Sequence, residues 1–328
     1  MIGLRYLSRG DALEAGAGDW HAALADVSSA TRLLRTGEAG MVSESVMHMG
    51  PDPRANAYAL PAFVGGPYDA VGLKWAVHRA EPDGDLPSII SSTFVNRRSD
   101  GRPLGMVESA MLTRMRTAAV SAAAIRTLAS ASPGAVAILG AGAQARAHVE
   151  MLLALLPAIE TIRVWNRDAG RRDAMLAGLG VSGRVRIVAA ESLADALDDA
   201  QIVLCCTSAP QPLLDRRAVV PGRLIVQVGY NEVGFDLIDA VDHVVVDLWG
   251  EFAEKSAKSL FQMYRAGLFA PARVAADLPA LIVDGWRPRA EASVLFSSFG
   301  LNVFNIALAA RVLRQAEAGG VGRLLPMY

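Results

Sequence analysis

The alternation of apolar and polar residues changes character along the first third of the chain. Residues 11–37 carry apolar side chains at mixed steps of three and four, which predicts a helix. Short apolar runs follow. They predict a brief strand over 57–60, ended by Pro61, and clearer strands over 71–77 and 88–95. This part of the chain therefore combines helices with strands.

Three further signals complete that pattern. Residues 98–103 contain the Asp, Gly and Pro residues of a tight turn, which predicts a hairpin. The alanine-rich run over 109–129 predicts a long helix, ended by the Pro-Gly pair at 133–134. An amphipathic helix is predicted over 302–317, and we expect it to return to the first domain.

From residue 136 onward, predicted strands and helices alternate. Strands are predicted at 136–140, 162–166, 185–189, 202–206, 224–229 and 243–247. Helices are predicted at 144–156, 168–179, 193–199 and 251–266. Apolar strands that alternate with helices form a parallel sheet covered on both faces. We predict an α/β protein with a doubly wound parallel sheet over 129–301, and a second α+β domain over 1–128 that is completed by 302–328.

Composition excludes several classes of partner. Of 328 residues, 52% are hydrophobic and 20% charged, and the net charge of −1 gives no attraction to nucleic acid or to an anionic membrane. No apolar run approaches the roughly 18–20 residues of a membrane-spanning helix. The two adjacent cysteines favour buried thiols, and the five histidines lack metal-ligand spacing. We expect a cytoplasmic protein with no metal, nucleic-acid or membrane partner.

A glycine-rich turn joins the first strand of the alternating region to its helix. Gly140 allows a sharp turn, Gly142 lets a pyrophosphate approach the backbone, and the small Ala145 permits close strand–helix packing. The helix that starts at Ala143 and Gln144 presents free N–H groups and a partial positive charge to phosphates. The turn therefore predicts a Rossmann-type dinucleotide site.

The end of the second strand of this region bears on the choice of dinucleotide. NAD-selective folds usually place Asp or Glu there to bind the ribose 2′-hydroxyl. Here Asn166 and Arg167 follow the strand, and Arg171 or Arg172 lies one turn later. These residues favour NADP(H), because arginine binds a 2′-phosphate. NAD(H) stays an alternative through Asp168.

Two basic residues stand out in the first domain. Lys74 interrupts an apolar strand and shares one face with Ala76 and His78. Arg116 lies in an alanine-rich helix, where a partly buried arginine requires an anionic partner. Lys74 either extends from an edge strand or faces a polar pocket. The partner of Arg116 is either a structural carboxylate or the carboxylate of a substrate.

These motifs together resemble the ornithine cyclodeaminase/mu-crystallin family over most of the chain. The similar stretches are residues 72–74, 100–104, 115–119, 138–145, 164–167 and 206–208. The resemblance implies a homodimer formed through the substrate domain, and hydride exchange between a nicotinamide and the Cα of a small amino or imino acid. Residues 74–75, 107–110 and 116–121 are most similar to the branch that makes diaminopropionate by oxidising a secondary amine.

The resemblance also implies roles for individual residues. Lys74 and Arg116 bind the substrate carboxylate, and Ser88 supplies a hydroxyl near the substrate and nicotinamide. Thr207 and Gly229 contact the cofactor at the ends of later strands. Lys74 is the first candidate for the proton donor, and His78 is the second.

Some positions depart from the cyclodeaminase pattern. Asn231 stands where cyclodeaminases carry a catalytic aspartate, and an amide does not exchange a proton as a carboxylate does. Residues 42–45 hold no arginine, and 304–305 hold Phe and Asn in place of an acidic pair. We therefore predict an oxidoreductase. A cyclodeaminase-like lyase that recycles its NAD and a crystallin-like NADPH-binding protein remain as alternatives.

Overall fold

The computed structural model describes residues 3–52, 55–79, 86–129, 133–180, 183–251 and 256–327. The chain forms two compact units, Met1–Arg116 with Leu301–Tyr328, and Thr117–Gly300. No helix within the described ranges is long and apolar enough to cross a membrane.

Strands and helices are numbered in chain order. The strands are β1 (Gly3–Leu7), β2 (Ala39–Met41), β3 (Ser45–His48), β4 (Asn56–Val64), β5 (Ala70–His78), β6 (Ile89–Arg97), β7 (Pro103–Glu108), β8 (Ala135–Leu139), β9 (Thr161–Trp165), β10 (Arg186–Ala189), β11 (Ile202–Cys205), β12 (Leu224–Gln227), β13 (His243–Val246), β14 (Val274–Asp277), β15 (Val294–Ser297) and β16 (Arg323–Pro326). The α-helices are α1 (Arg9–Glu14), α2 (Trp20–Thr36), α3 (Ala110–Leu128), α4 (Ala143–Leu155), α5 (Ala169–Ala177), α6 (Leu193–Leu197), α7 (Phe235–Ala240), α8 (Ser259–Arg265), α9 (Leu278–Ile282) and α10 (Asn302–Gly319).

The first unit contains an eight-stranded mixed sheet. Its order is β16-β1-β7-β6-β5-β4-β2, with β3 also paired to β4. Helices α2 and α10 pack together, and α10 also contacts the sheet. A Cβ on Gly72 of β5 would lie 3.0 Å from Ile306 of α10 and 2.5 Å from the carbonyl oxygen of Phe94. Glycine therefore permits this close approach of helix to sheet.

The helix predicted over 11–37 is two helices in the structure. The side chain of Ser8 caps α1, and Gly16 adopts a left-handed conformation with φ of 78° after α1 ends. Asp19 then caps α2 by accepting a hydrogen bond from the N–H of Ala22. The single-helix prediction was wrong, because the apolar spacing continues across a turn that the glycine allows.

The strand predicted to end at Pro61 continues to Val64. On one side of β4, Pro61 is paired with Leu73 of β5. On the other side it falls between the end of β2, where Met41 pairs with Ala62, and the start of β3, where Ser45 pairs with Ala59. Proline lacks an N–H donor. Because no residue of β2 or β3 is paired with Pro61, no hydrogen bond from its nitrogen is needed on that side.

The second unit contains an eight-stranded sheet in which every pairing is parallel. Its order is β10-β9-β8-β11-β12-β15-β13-β14. The predicted α/β fold class, with a Rossmann-type sheet and a second mixed domain, is confirmed. Strands β14 and β15 were not predicted, and β15 lies between β12 and β13. The helix predicted over 251–266 is α8 over Ser259–Arg265, and residues 252–255 lie outside the described ranges.

Candidate functional site

The glycine turn after β8 has the geometry that a dinucleotide requires. Gly140 has φ of 118°, and a Cβ there would lie 2.3 Å from the carbonyl oxygen of Cys206. Gly142 precedes α4 as its cap, and a Cβ at this position would meet no atom within 4 Å. The first residues of α4, Ala143 and Gln144, follow directly. Open space therefore lies over the N-terminus of a 13-residue helix, and a pyrophosphate fits there.

The residues after β9 divide into exposed and buried basic groups. Asn166 donates a hydrogen bond from Nδ2 to the carbonyl oxygen of Asp168, and Arg167 is exposed. Arg171 is also exposed, and its Nε lies 3.5 Å from Oδ2 of Asp168. Arg172 is buried, donates to the carbonyl oxygen of Ala190 at 2.7 Å, and pairs with its neighbour Asp173. Arg172 is therefore a structural residue, whereas Arg167 and Arg171 are accessible to a phosphate.

A buried ion cluster stabilises the ends of β11 and β12. Lys258 Nζ donates to the carbonyl oxygens of Gln227, Val228 and Gly229 at 3.0, 2.9 and 2.6 Å. The carboxylate of Glu232, which is fully buried, accepts from the N–H of Thr207 at 3.1 Å. Burial raises the pKa of Glu232, and Lys258 opposes that shift. The three donors of the ammonium thus match three carbonyls, and the cluster holds Thr207 and Gly229 in place.

Gly229 can carry no side chain in this environment. A Cβ there would lie 2.0 Å from Glu232 Oε1 and 2.2 Å from the carbonyl oxygen of Thr207. Glu232 and Lys258 were not predicted as site residues from the sequence. Glu232 follows the polar Asn231, and Lys258 lies among other charged and polar residues, so neither stands out in the sequence and only the fold shows that both reach the same strand ends.

Asn231 makes a contact that ties two loops together. Its Nδ2 donates to the carbonyl oxygen of Pro210 at 2.8 Å. Cys205 and Cys206 are free and buried, as the sequence predicted, and burial raises the pKa of both thiols well above its usual value. Among the residues that the structure describes, no group of three or more His, Cys, Asp or Glu is placed to hold a metal ion.

A charged cluster forms in the first unit around Lys74. The side chain of Lys74 points to the inner face of β5, the face that packs against α10, and Lys74 is only 7% exposed. The pKa of Lys74 is lowered to about 7, chiefly by burial and also by the nearby charge of Arg116, while Glu44 opposes both effects. Burial raises the pKa of Glu44, and the charges of Lys74 and Arg116 oppose that shift. The structure thus brings together the two predicted basic residues and adds a carboxylate.

Aromatic and imidazole rings line the same face. Tyr58 of β4 lies opposite Ala76, and its ring centre is 4.6 Å from that of His78. Burial lowers the pKa of His78, and the charge of Lys74 lowers it further. Burial and the charge of Glu44 both raise the pKa of Tyr58. His78 is therefore neutral at physiological pH.

Ser88 does not lie beside this cluster. Its carbonyl oxygen accepts from the N–H of Arg79 at the end of the β5–β6 hairpin. That position is about 16 Å from Lys74 along the strands, at about 3.3 Å per residue. The hydroxyl residue opposite Lys74 in β6 is Thr93, and Ser91 lies one step along the same face. Strand register, which the sequence does not fix, decides which hydroxyl is near Lys74.

Glu44 is the residue of this cluster that the sequence analysis noted only as the absence of an arginine. Glu44 lies between two short β segments that only the structure reveals. Those segments were not predicted, because β2 has three residues and β3 has four. Neither run is long enough to show a period.

Comparison with known proteins confirms the family resemblance. The sequence matches the ornithine cyclodeaminase/mu-crystallin family over residues 20–320. It is 23% identical over 276 residues to N-((2S)-2-amino-2-carboxyethyl)-L-glutamate dehydrogenase of Staphylococcus aureus. The aligned region covers 82% of each chain.

Two solved structures share the fold. One is Δ1-pyrroline-2-carboxylate reductase of Thermococcus litoralis in complex with NADH and L-proline, with a TM-score of 0.89, 22% identity, and coverage of 98% of this chain and 99% of that chain. The other is an archaeal alanine dehydrogenase dimer with bound NAD, with a TM-score of 0.87, 19% identity and coverage of 100% of both chains. The present chain belongs to the ornithine cyclodeaminase/mu-crystallin family, whose members include NAD(P)-dependent amino-acid dehydrogenases and imine reductases.

Proposed function

We propose that this protein exchanges hydride between a nicotinamide dinucleotide and the Cα of a small amino or imino acid. The observation that carries the proposal is the pairing of the buried Lys74 with the half-buried Arg116, since two neighbouring cations partly removed from water form a site for a carboxylate. The glycine turn and the ends of β11 and β12 hold the dinucleotide, which supplies the hydride acceptor or donor when bound.

The chain's own residues orient the substrate and handle its proton. Arg116 stays charged at all working pH values and anchors the carboxylate. Lys74, with a pKa of about 7, exists in both protonation states near neutral pH. It therefore donates a proton during imine reduction and accepts one during amine oxidation. Asn231, whose amide is hydrogen-bonded to Pro210, supplies no carboxylate for the cyclodeaminase reaction.

The first experiment is a titration of the purified protein with NADPH and NADH, followed by an absorbance screen at the nicotinamide band. The substrates are cyclic imines and mixtures of 2-oxo acids with amines. Net oxidation of the dinucleotide by one imine class supports the proposal. Tight binding with product formed but no net oxidation favours a lyase that recycles its cofactor. Binding without any product favours a crystallin-like role.

We further propose that NADP(H) is preferred over NAD(H). Asn166 carries no charge that would repel a 2′-phosphate, and the exposed Arg167 and Arg171 supply cations near the end of β9. The family relatives with bound NAD(H) show that NAD-type cofactors suit the fold, and the preference is set by these side chains.

We propose a homodimer formed through the outer face of the first unit's sheet. On β5 the outward-facing residues Val71, Leu73 and Trp75 are 40%, 36% and 42% exposed. Ile90 of β6 and Met47 of β3 lie on the same face by strand register and extend this apolar surface. Large exposed apolar patches mark interfaces between proteins. A second copy of the chain is the partner that we propose, because an archaeal protein of the same fold is a dimer.

A further inference from the structure

Glu44 occupies an irregular position in the first unit's sheet. Between the pairs Met41–Ala62 and Ser45–Ala59, three residues on one side face two on the other, so the edge contains a bulge. A bulge re-aims side chains, and bulges are frequent beside active sites. The adjacent Leu60, which is paired with Lys74, has its carbonyl oxygen hydrogen-bonded to the amide of Asn302.

The partial burial of Glu44 and the charges it acts on place it on the inner face of the sheet. Ser45 lies opposite Ala59, which in turn lies opposite the outward-facing Trp75. Ser45 is exposed, whereas Glu44 beside it at the bulge is partly buried and its charge acts on Lys74, which places Glu44 toward the opposite face, where Lys74 is buried. Glu44 is half-buried there, and its charge acts on Lys74, Tyr58 and Arg116. A carboxylate thus belongs to the same cluster as the two cations.

The charges of this cluster match a zwitterion better than a simple anion. Lys74 and Arg116 are sufficient for one substrate carboxylate. Glu44 would weaken binding of that carboxylate through repulsion unless the substrate also brings a positive charge. We propose that Glu44 binds the cationic nitrogen of the substrate, and so selects amino acids and iminium acids over oxo and hydroxy acids of the same shape.

This proposal rests on the proposed function and has a chemical consequence for it. In imine reduction, hydride adds to the C=N carbon while the π-electron pair moves to nitrogen, which was an iminium cation. A carboxylate beside that nitrogen favours the iminium form, the better hydride acceptor. In the oxidative direction the same carboxylate binds the ammonium form before its proton leaves. Glu44 is thereby a specificity-determining residue of the substrate site.

The test compares L-alanine with L-lactate, which differ chiefly in an ammonium against a hydroxyl group. Both are measured as competitive inhibitors of the imine reduction found in the initial screen. We expect the wild-type protein to bind L-alanine at least 10-fold more tightly. In the Glu44→Gln variant we expect this ratio to fall by about 10-fold to 100-fold, with L-lactate bound equally or more tightly than by the wild type.

Two variants keep the result interpretable. Glu44→Asp retains the charge and should retain the preference for L-alanine. Glu38→Gln removes an exposed carboxylate of the same unit and should leave the ratio unchanged. A wild-type protein that binds L-lactate as tightly as L-alanine overturns the inference without any variant, and so does an equal loss of both ligands in Glu44→Gln. A protein that turns over no imine at all overturns the proposed function instead.

Discussion

Burial of Lys74 beside Arg116 lowers the pKa of the lysine to about 7, and Glu44 counteracts this shift only in part. The neutral His78 and the phenol of Tyr58 are the other titratable groups on this face. Below the pKa, Lys74 is a cation that holds a carboxylate and can donate a proton. Above it, Arg116 is the remaining cation of the cluster. The chemistry of this site is therefore expected to depend on pH.

We expect kcat/KM for imine reduction to fall as pH rises through about 7, since this profile reports the free enzyme. In Lys74→Arg the side chain stays charged, and this fall should disappear although the rate is lower. Lys74→Met should reduce turnover at least about 100-fold, while its Kd for the dinucleotide is unchanged. Full turnover by Lys74→Met would show that the assignment is wrong.

Arg167 provides a residue-level test of cofactor preference. Removing one charge-assisted hydrogen bond costs about 1.5–3 kcal/mol, so Arg167→Ala should weaken NADPH binding by about 10-fold to 100-fold. Its Kd for NADH should change by less than about 2-fold, because NADH lacks the 2′-phosphate. Fluorescence titration of both dinucleotides measures this. Equal effects on the two would contradict the proposed role.

At the scale of elements, the two glycines in the turn between β8 and α4 have different roles. Gly140 is needed for folding, and we expect Gly142 to be needed for dinucleotide binding. Gly140 is required by its φ of 118° and by the nearby Cys206 carbonyl. Gly142 has φ of −90° and open space around its missing Cβ. The protein alone therefore tolerates a side chain at Gly142, whereas a bound pyrophosphate would not.

Gly142→Val should keep a melting temperature close to that of the wild type while its Kd for NADPH rises at least about 10-fold. Gly140→Ala should lower the melting temperature, because it introduces both backbone strain and a clash. Differential scanning fluorimetry with and without NADPH measures both effects. Unchanged NADPH affinity in Gly142→Val would place the pyrophosphate elsewhere.

At the scale of the whole molecule, the two ends of the chain meet in the first unit. Nε of Arg311 in α10 lies 2.6 Å from Oδ2 of Asp26 in α2, and the hydroxyl of Tyr68 donates a hydrogen bond to Oδ1 of Asp26. Burial raises the pKa of Asp26, and the charge of Arg311 opposes that rise. The pair is largely buried, so removal of either partner leaves the other charge poorly compensated.

Arg311→Met should reduce the free energy of unfolding by about 3–5 kcal/mol, because it leaves the Asp26 carboxylate buried without its cation. Glu317→Ala, an exposed change on the same helix, should stay within about 0.5 kcal/mol of the wild type. Urea denaturation followed by circular dichroism provides both values. Equal stability of the two variants would show that the ion pair contributes little.

The proposed homodimer predicts a change of mass in solution. Trp75→Asp places a charge at the centre of the outward apolar face, where burial against a second copy would be costly. We expect light scattering to show a dimer for the wild type and a monomer for this variant. Arg289→Asp, which changes a residue of the second unit, should remain dimeric. A monomeric wild type would contradict the proposal.

Local chemistry accounts for what the sequence determined by itself. The strand–turn–helix at Gly140 could be recognised because every requirement lies within a few consecutive residues, and the parallel sheet followed from apolar strands alternating with helices. Lys74 and Arg116 were recognisable because charged residues in apolar segments require partners wherever they fold. The family assignment, which rests on the same short motifs, is confirmed by the match over residues 20–320.

Tertiary structure decided what depends on distant residues. The insertion of β15 between β12 and β13 joins segments far apart in sequence, and the pairing of β4 past Pro61 depends on a gap in the neighbouring edge. Arg172 is buried and donates a hydrogen bond to the carbonyl oxygen of Ala190, and the register of β5 and β6 places Ser88 far from Lys74. The bulge that turns Glu44 toward the two cations has the same origin, because sheet pairing between separate segments sets the direction of each side chain.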